Sequence, residues 1–336
     1  MAYKKKRSRS RGMKKMQPAI TDLAFTIPAG GGTGTDSRSY IDTARELSKV
    51  NRRLYSQSKC YAYQGLTFIW RAQAAANLAT IEMSVRTAGN TWIVHNAHVK
   101  GEALWHQMQE LVLEDNPSIK GKWHDYKVRL STQQISARQL VAKDGAGVSV
   151  KTGEWVVSSY VMPQHEVETT GPDAGKPLSA EEFTACLIGP DSASIKSLVQ
   201  AYEDSRATVS ADQPNVPAGV STSFFNLLTD SGSQEPELAD VIIDENDNPP
   251  YDLDEYPGGA TNANVPWTVG YAAISASEVD GRVGGFIAPC GLIEIELKGY
   301  DANGSPVATA DMPEIDILLH VAPGMYKGVA AVDMGQ

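Results

Sequence analysis

Eight of the first sixteen residues, MAYKKKRSRSRGMKKM, are cationic: Lys4, Lys5, Lys6, Arg7, Arg9, Arg11, Lys14 and Lys15. No acid precedes Asp22. Such a run cannot bury itself, because each ammonium or guanidinium would lose its hydration without a partner. It offers almost no apolar face to a helix either. The expectation is a disordered, extended arm whose chemistry is phosphate binding: each neutralised phosphate releases counterions, and alternating Arg and Ser contact a backbone without reading sequence. Arg45, Lys49, Arg52 and Arg53, on a short helix expected over 40–54, would extend that positive surface. A solvated tail and a nuclear address are the plainer readings of KKKRSRSR.

The carboxylates concentrate elsewhere. Ile243-Asp244-Glu245-Asn246-Asp247-Asn248-Pro249-Pro250-Tyr251 sets hard oxygen donors two residues apart, a spacing suited to Ca²⁺. These residues resemble the calcium linker of cadherin repeats, which would make Asp244, Glu245 and Asp247 ligands of a Ca²⁺ ion at an interface between subunits. The alternative is an acidic surface turn in which the two prolines stop a strand. The six histidines form no HExxH or comparable metal spacing. Gly30-Gly31-Gly32-Thr33-Gly34 lacks the Lys-Ser/Thr of a phosphate-binding loop, and no G-x-S-x-G is present. Enzymatic activity is therefore not expected. Cys60, Cys186 and Cys290 are far apart and odd in number, which points to buried thiols rather than a disulfide framework. The six tryptophans read as packing residues, with stacking on single-stranded bases as the alternative.

Charge is segregated along the chain. The 336 residues carry a formal charge of -10, from 40 acids and 30 Lys and Arg; eight of those cations sit in the arm, so 22 remain to face the 40 acids. Between Arg206 and Arg282 there is no Lys or Arg but thirteen acids, ten of them from Asp230 to Glu255. Residues 120–151, in contrast, hold seven cations. A cationic tail on an anionic body suits a protein that coats a polyanion, with the basic segment facing inward and the acidic one outward or toward a neighbour. No apolar run approaches the ~18 residues of a membrane span, and no apolar stretch follows the basic residues as in a secretory signal, so membrane insertion is not expected.

The elements expected to position these groups are mostly strands: 60–70, 78–86, 90–99, 123–130, 155–162, 183–188, 222–228, 265–274, 283–297 and 314–321, rich in Val, Ile, Tyr and Trp and separated by Gly, Pro and Asn turns. Helices are expected at 101–114 and 191–204. The organisation reads as a basic arm (1–16), a Gly-rich linker with a short helix (17–54), and a shell domain (55–336) carrying long loops and an acidic segment (230–256).

This layout resembles the single jelly-roll capsid proteins of small viruses. Its size, and an arm beside the initiator Met, are similar to the capsid proteins of circular single-stranded DNA viruses that encode a replication initiator. The resemblance implies an all-β fold: an antiparallel eight-stranded jelly-roll sandwich with a disordered basic N-terminal arm and short helices in long loops. It also implies self-assembly into an icosahedral shell and arms bound to the viral genome, single-stranded DNA ahead of RNA. Location in the virion, and in the host nucleus during assembly after contact with nuclear import machinery, completes the expectation. A non-viral nucleic-acid-binding module and a calcium-dependent adhesion protein are the rival readings.

Overall fold

The computed structural model describes residues 18–30, 38–70, 78–162, 181–205, 266–275 and 277–335. The basic arm, the Asp244–Asp247 motif, the strand expected at 222–228, most of the long polar connections and the acidic segment 230–256 lie outside the described residues.

The described chain is mostly β-structure, in several antiparallel sheets with few helices. In order it runs β1 (Asp22–Ile27), β2 (Arg38–Asp42), α1 (Thr43–Asn51), β3 (Lys59–Trp70), β4 (Thr80–Thr87), α2 (Trp92–Asp115), β5 (Ser159–Met162), β6 (Glu181–Cys186), β7 (Ile195–Ser197) and α3 (Leu198–Ser205). Then follow β8 (Trp267–Ser275), β9 (Asp280–Val283), β10 (Phe286–Ala288), β11 (Leu292–Tyr300), β12 (Pro306–Val307), β13 (Ile315–Val321), β14 (Pro323–Gly324), β15 (Gly328–Val329) and β16 (Ala331–Asp333).

One large sheet has the order β1-β13-β3-β10, with β9 and β16 also paired to β3. The other has the order β12-β11-β4-β8, with β2 also paired to β11. Every pairing in these two sheets is antiparallel. Their strands alternate cleanly: β4 and β13 bury every second residue, as expected where one face is covered and the other is open. Phe25, Phe68 and Ile317 from the first sheet meet Met83, Val85 and Ile295 from the second in one apolar cluster. Gly65 makes room at the seam between β9 and β10; a Cβ there would lie 2.5 Å from the carbonyl oxygen of Val283, at a φ of +149°.

A second apolar cluster sits where β3 begins, β4 ends and β10 turns into β11. It joins Cys60, Ala88 and Cys290 to α2, α3 and the small sheet β5-β6-β7. Tyr126 and Tyr160 share a hydroxyl–hydroxyl bond of 2.5 Å at its centre, and the Tyr160 hydroxyl also donates to the Gly101 carbonyl.

Several expected elements differ. Residues 90–99 are not a strand but the first turns of α2, which begins at Trp92 and continues through Gly101. The β-branched Ile93 and Val94 are outweighed by burial on nearly every side of this half of the helix, at 93–98, 100, 101 and 103–105, as in a helix enclosed by its neighbours rather than one with a single apolar stripe. Gly101 is not a boundary; a Cβ there would approach Leu198 Cδ2 to 2.8 Å and the Tyr126 hydroxyl to 2.9 Å. Residues 123–130 run extended with Tyr126, Val128 and Leu130 buried. They are held by scattered bonds rather than a regular ladder: Arg129 bridges Cys186, the Leu187 and Ile188 N–H groups donate to the Arg129 and Leu130 carbonyls, and the Ser158 N–H donates to the Lys127 carbonyl. The run 283–297 is cut by Gly284 and Gly285 and by a tight turn at Pro289–Gly291, where Cys290 takes a φ of +58°. The expected helix over 40–54 is confined to Thr43–Asn51, after β2, and that over 191–204 is displaced to Leu198–Ser205 after a short strand.

His98 gives the second cluster a pH dependence. It lies on α2 and is fully buried, with neither ring nitrogen hydrogen-bonded among the described residues. Burial lowers its pKa to about 4; Glu102 opposes that shift, and His95 adds to it. The folded protein therefore binds this proton less readily than the unfolded chain, so the contribution is present above pH ~6.5 and is lost as pH falls toward 4. Leu in place of His98 should remove up to ~3 kcal/mol of this acid sensitivity. Denaturation midpoints of wild type and H98L across pH 4–7 provide the measurement. Comparing slopes matters because Asp42, Asp125 and Glu294, whose pKa values burial raises, contribute in the opposite direction. Parallel curves would show that His98 does not carry the effect.

Candidate nucleic-acid interface

A cleft of about 530 Å³ opens beside α1. Its cations come from stretches far apart in sequence: Arg45, Lys49 and Arg52 from the helix side, and Lys122, Lys127 and Lys151 from the basic stretch opposite. Trp105, Trp123 and Trp155 contribute its aromatic wall, and Asp125 and Glu154 its carboxylates.

Asp42 is the hub that builds this arrangement. It caps α1, accepting the Arg45 N–H at 3.0 Å, in the extended conformation that helix caps adopt. Its other oxygen accepts Gln57 Nε2 and the Trp155 indole N–H, each at 2.8 Å. Gln57 in turn accepts the Val128 N–H at 2.8 Å. One carboxylate thus fixes helix, tryptophan and the 126–130 segment together, although burial raises its pKa.

The cations differ in what holds them. Arg45 and Lys49 are buried and directed at Glu46, whose carboxylate lies 2.6 Å from Arg45 Nε and 2.9 Å from Lys49 Nζ. Lys122 pairs with Glu154 at 2.6 Å on the surface. Arg52 and Lys151 are exposed. Lys127 is 6% exposed. Its ammonium stands 4.3 Å from the Trp123 ring centroid and 4.9 Å from that of Trp155 and donates to the Asp125 carbonyl at 3.1 Å. Burial lowers its pKa, opposed by Asp125. The rings of Trp123 and Trp155 lie 6.0 Å apart and tilted by 46°.

The start of the described chain is tied to the same place. Asn51, at the end of α1, accepts the Ile20 N–H at 2.7 Å and donates to the Ile20 carbonyl at 3.0 Å. Arg53 donates to the Pro18 carbonyl at 3.1 Å and to the Lys327 carbonyl at 3.3 Å. Lys327 and Lys59 lie over the Tyr326 ring at 5.1 and 4.6 Å, which adds a second group of cations on aromatics beside the cleft. Lys4 to Lys15 of the arm, expected to hold phosphates, lie outside the described residues, but the chain leading from them reaches the body beside Arg52 and Arg53.

Of the tryptophans, Trp70 and Trp105 are buried, whereas Trp123 and Trp267 are exposed. The pairing of Lys127 with Trp123 and Trp155 escaped sequence reading. The signal was present as tryptophans interleaved with lysines over 122–155, but nothing in the sequence says that Trp155 returns to Trp123. Among the described residues, no group of three or more His, Cys, Asp or Glu side chains could hold a metal ion, and no helix is long and apolar enough to cross a membrane. The three cysteines are free and buried. Comparison with protein-family models, curated proteins and solved structures gives no match.

Proposed function

We propose that this chain is a viral coat protein with a jelly-roll shell domain, which assembles into a closed particle and packages single-stranded nucleic acid through its basic arm. The observation that carries the reading is the strand order. Number β1, β2, β3, β4, β8, β9–β10, β11 and β13 from one to eight along the chain. One sheet then runs 1-8-3-6 and the other 2-7-4-5. The neighbours 1·8, 2·7, 3·6 and 4·5 are the two arms of one long antiparallel ribbon, rolled until its faces meet. A rolled ribbon of eight strands with Greek-key connections is the jelly-roll plan, which capsids share with lectins and cupins.

Charge selects among those uses. Carbohydrate or small-molecule binding does not call for eight cations in sixteen residues, whereas polyanion packaging does. Arms converging in a shell interior add weak phosphate contacts by multivalency. The chain enters the body at Pro18, beside the cations of the cleft, so this end of the fold supports a genome-facing assignment. Single-stranded DNA is the expected genome type, and the nucleus the expected place of assembly.

Negative-stain microscopy of the purified protein, with and without single-stranded DNA, tests the proposal. Closed particles of uniform diameter are expected. A monomer or small oligomer that binds DNA without closing would instead make it a nucleic-acid-binding module outside any virion.

A further inference from the structure

We infer that the cleft beside α1 is a second nucleic-acid site, separate from the arm, which takes one or two nucleotides of a single strand. A base stacks on the open face of Trp123, while its phosphates lie on Arg52 and Lys151. This rests on the packaging reading above and specifies which part of the folded body touches the genome.

Four observations carry it. The volume, about 530 Å³, is within the range of small-ligand sites, roughly 300–1,000 Å³. The cleft is lined by cations and indoles together, the pairing that single-strand binding uses, with aromatic faces for bases and ammonium groups for the backbone. The charge is not spent internally at the mouth: Glu46 engages Arg45 and Lys49, and Glu154 engages Lys122, but Arg52 and Lys151 are exposed and make no described ion pair. Asp125, the remaining acid of the lining, is occupied, accepting from Ser56 Oγ at 2.8 Å and from the Gln57 N–H at 3.3 Å.

The aromatic platform is also held in advance of any ligand. Trp155 is fixed by its indole bond to Asp42, and Lys127 lies against both rings. Trp123 is 36% exposed. The 6.0 Å separation and 46° tilt of the two indoles leave no slot for a base between them, so stacking falls to the outer face of Trp123. A duplex hides the faces of its bases, and for that reason the site favours a single strand.

The test is fluorescence anisotropy with a labelled eight-nucleotide oligo-dT, an eight-base-pair duplex as competitor, and inorganic phosphate as the control for bare anion binding. The full-length chain carries Gln at its eight arm cations, so that the body is read alone. Trp123→Ala should weaken oligo-dT binding by roughly 5- to 150-fold, the loss of one stacked base. Trp123→Phe should restore most of it, and Arg52→Ala with Lys151→Ala should lower the salt dependence by about one to two units of slope. Arg52 and Lys151 are exposed, so their thermal midpoints should barely move; Trp123→Ala also takes a ring from the buried Lys127 ammonium, so its binding loss is read against Trp123→Phe, which keeps a ring there.

Unchanged affinity in Trp123→Ala, or a duplex that competes as well as the single strand, overturns the inference. Competition by phosphate at the oligonucleotide's own concentration does so too, because it would leave only an anion site. Repeating the Trp123→Ala comparison with the native arm guards against the Gln variant failing to fold. Particle formation is scored separately by microscopy. Shells that form with normal cleft-independent binding would remove this inference and leave the coat-protein reading standing, whereas absence of shells with intact cleft binding would do the reverse.

Discussion

Replacing Glu46 with Ala should cost about 3–5 kcal/mol of stability, the loss expected when a buried ion pair is left with its cations unpaired. Glu46 is fully buried in α1. Its Oε1 receives Arg45 Nε, and its Oε2 receives Lys49 Nζ and the N–H of Ala142 at 2.8 Å. Arg45 also donates to the Leu140 carbonyl at 2.8 Å. One carboxylate thus binds helix α1 to the strand-like segment 140–142. Burial already lowers the pKa of Lys49, and Glu46 is what opposes that shift. Without it two buried cations and a buried amide lose their acceptor together. Glu46→Gln keeps the shape but can satisfy fewer donors, so it should fall between wild type and Ala. Urea midpoints at one fixed protein concentration would read this, because any self-association would make apparent stability depend on concentration. A loss below ~1 kcal/mol would mean that water replaces the carboxylate.

Neutralising the eight arm cations to Gln should reduce nucleic-acid binding by orders of magnitude while leaving the body folded. On single strands each phosphate contact contributes ~0.7 to the slope of log K against log salt, so eight contacts give a slope of about 5 to 6. The native chain should therefore lose ~10³-fold in affinity between 50 and 200 mM salt, and the neutralised chain much less. Among the described residues the fully buried members of both apolar clusters begin at Leu23, so circular dichroism and the thermal midpoint should hardly change. An unaltered salt slope would show that the arm does not grip phosphates; an unfolded variant would show that it supports the body.

The sequence made the long, alternating strands plain. β3, β4, β8 and β13 lie nearly where the residue types place them; in β4 and β13 one face is buried and period two survives in the residue types. Trp92–Val99 misled because β-branched and aromatic residues suit a buried helix face as well as a strand, and only packing against α3 decides between them. Gly101 looked like punctuation, but it is a point of close approach between α2 and Tyr126. At the cleft, the four helix cations looked alike in sequence. Burial separates Arg45 and Lys49, which face Glu46, from Arg52, which faces water. Glu46 differs from other glutamates only through its partner at Ala142, ninety-six residues away. Long-range closure of that kind leaves no local pattern.

The three cysteines turn the folded protein into its own reporter. Burial pushes the Cys60 thiol up to about 12 and raises those of Cys186 and Cys290 as well, so a maleimide meets almost no thiolate in the closed fold. Labelling then proceeds only as fast as each region breathes. Cys60 dates the opening of β3, Cys186 the end of β6, and Cys290 the turn before β11. Peptide mapping after timed exposure would rank which part of the molecule loosens first as the fold opens.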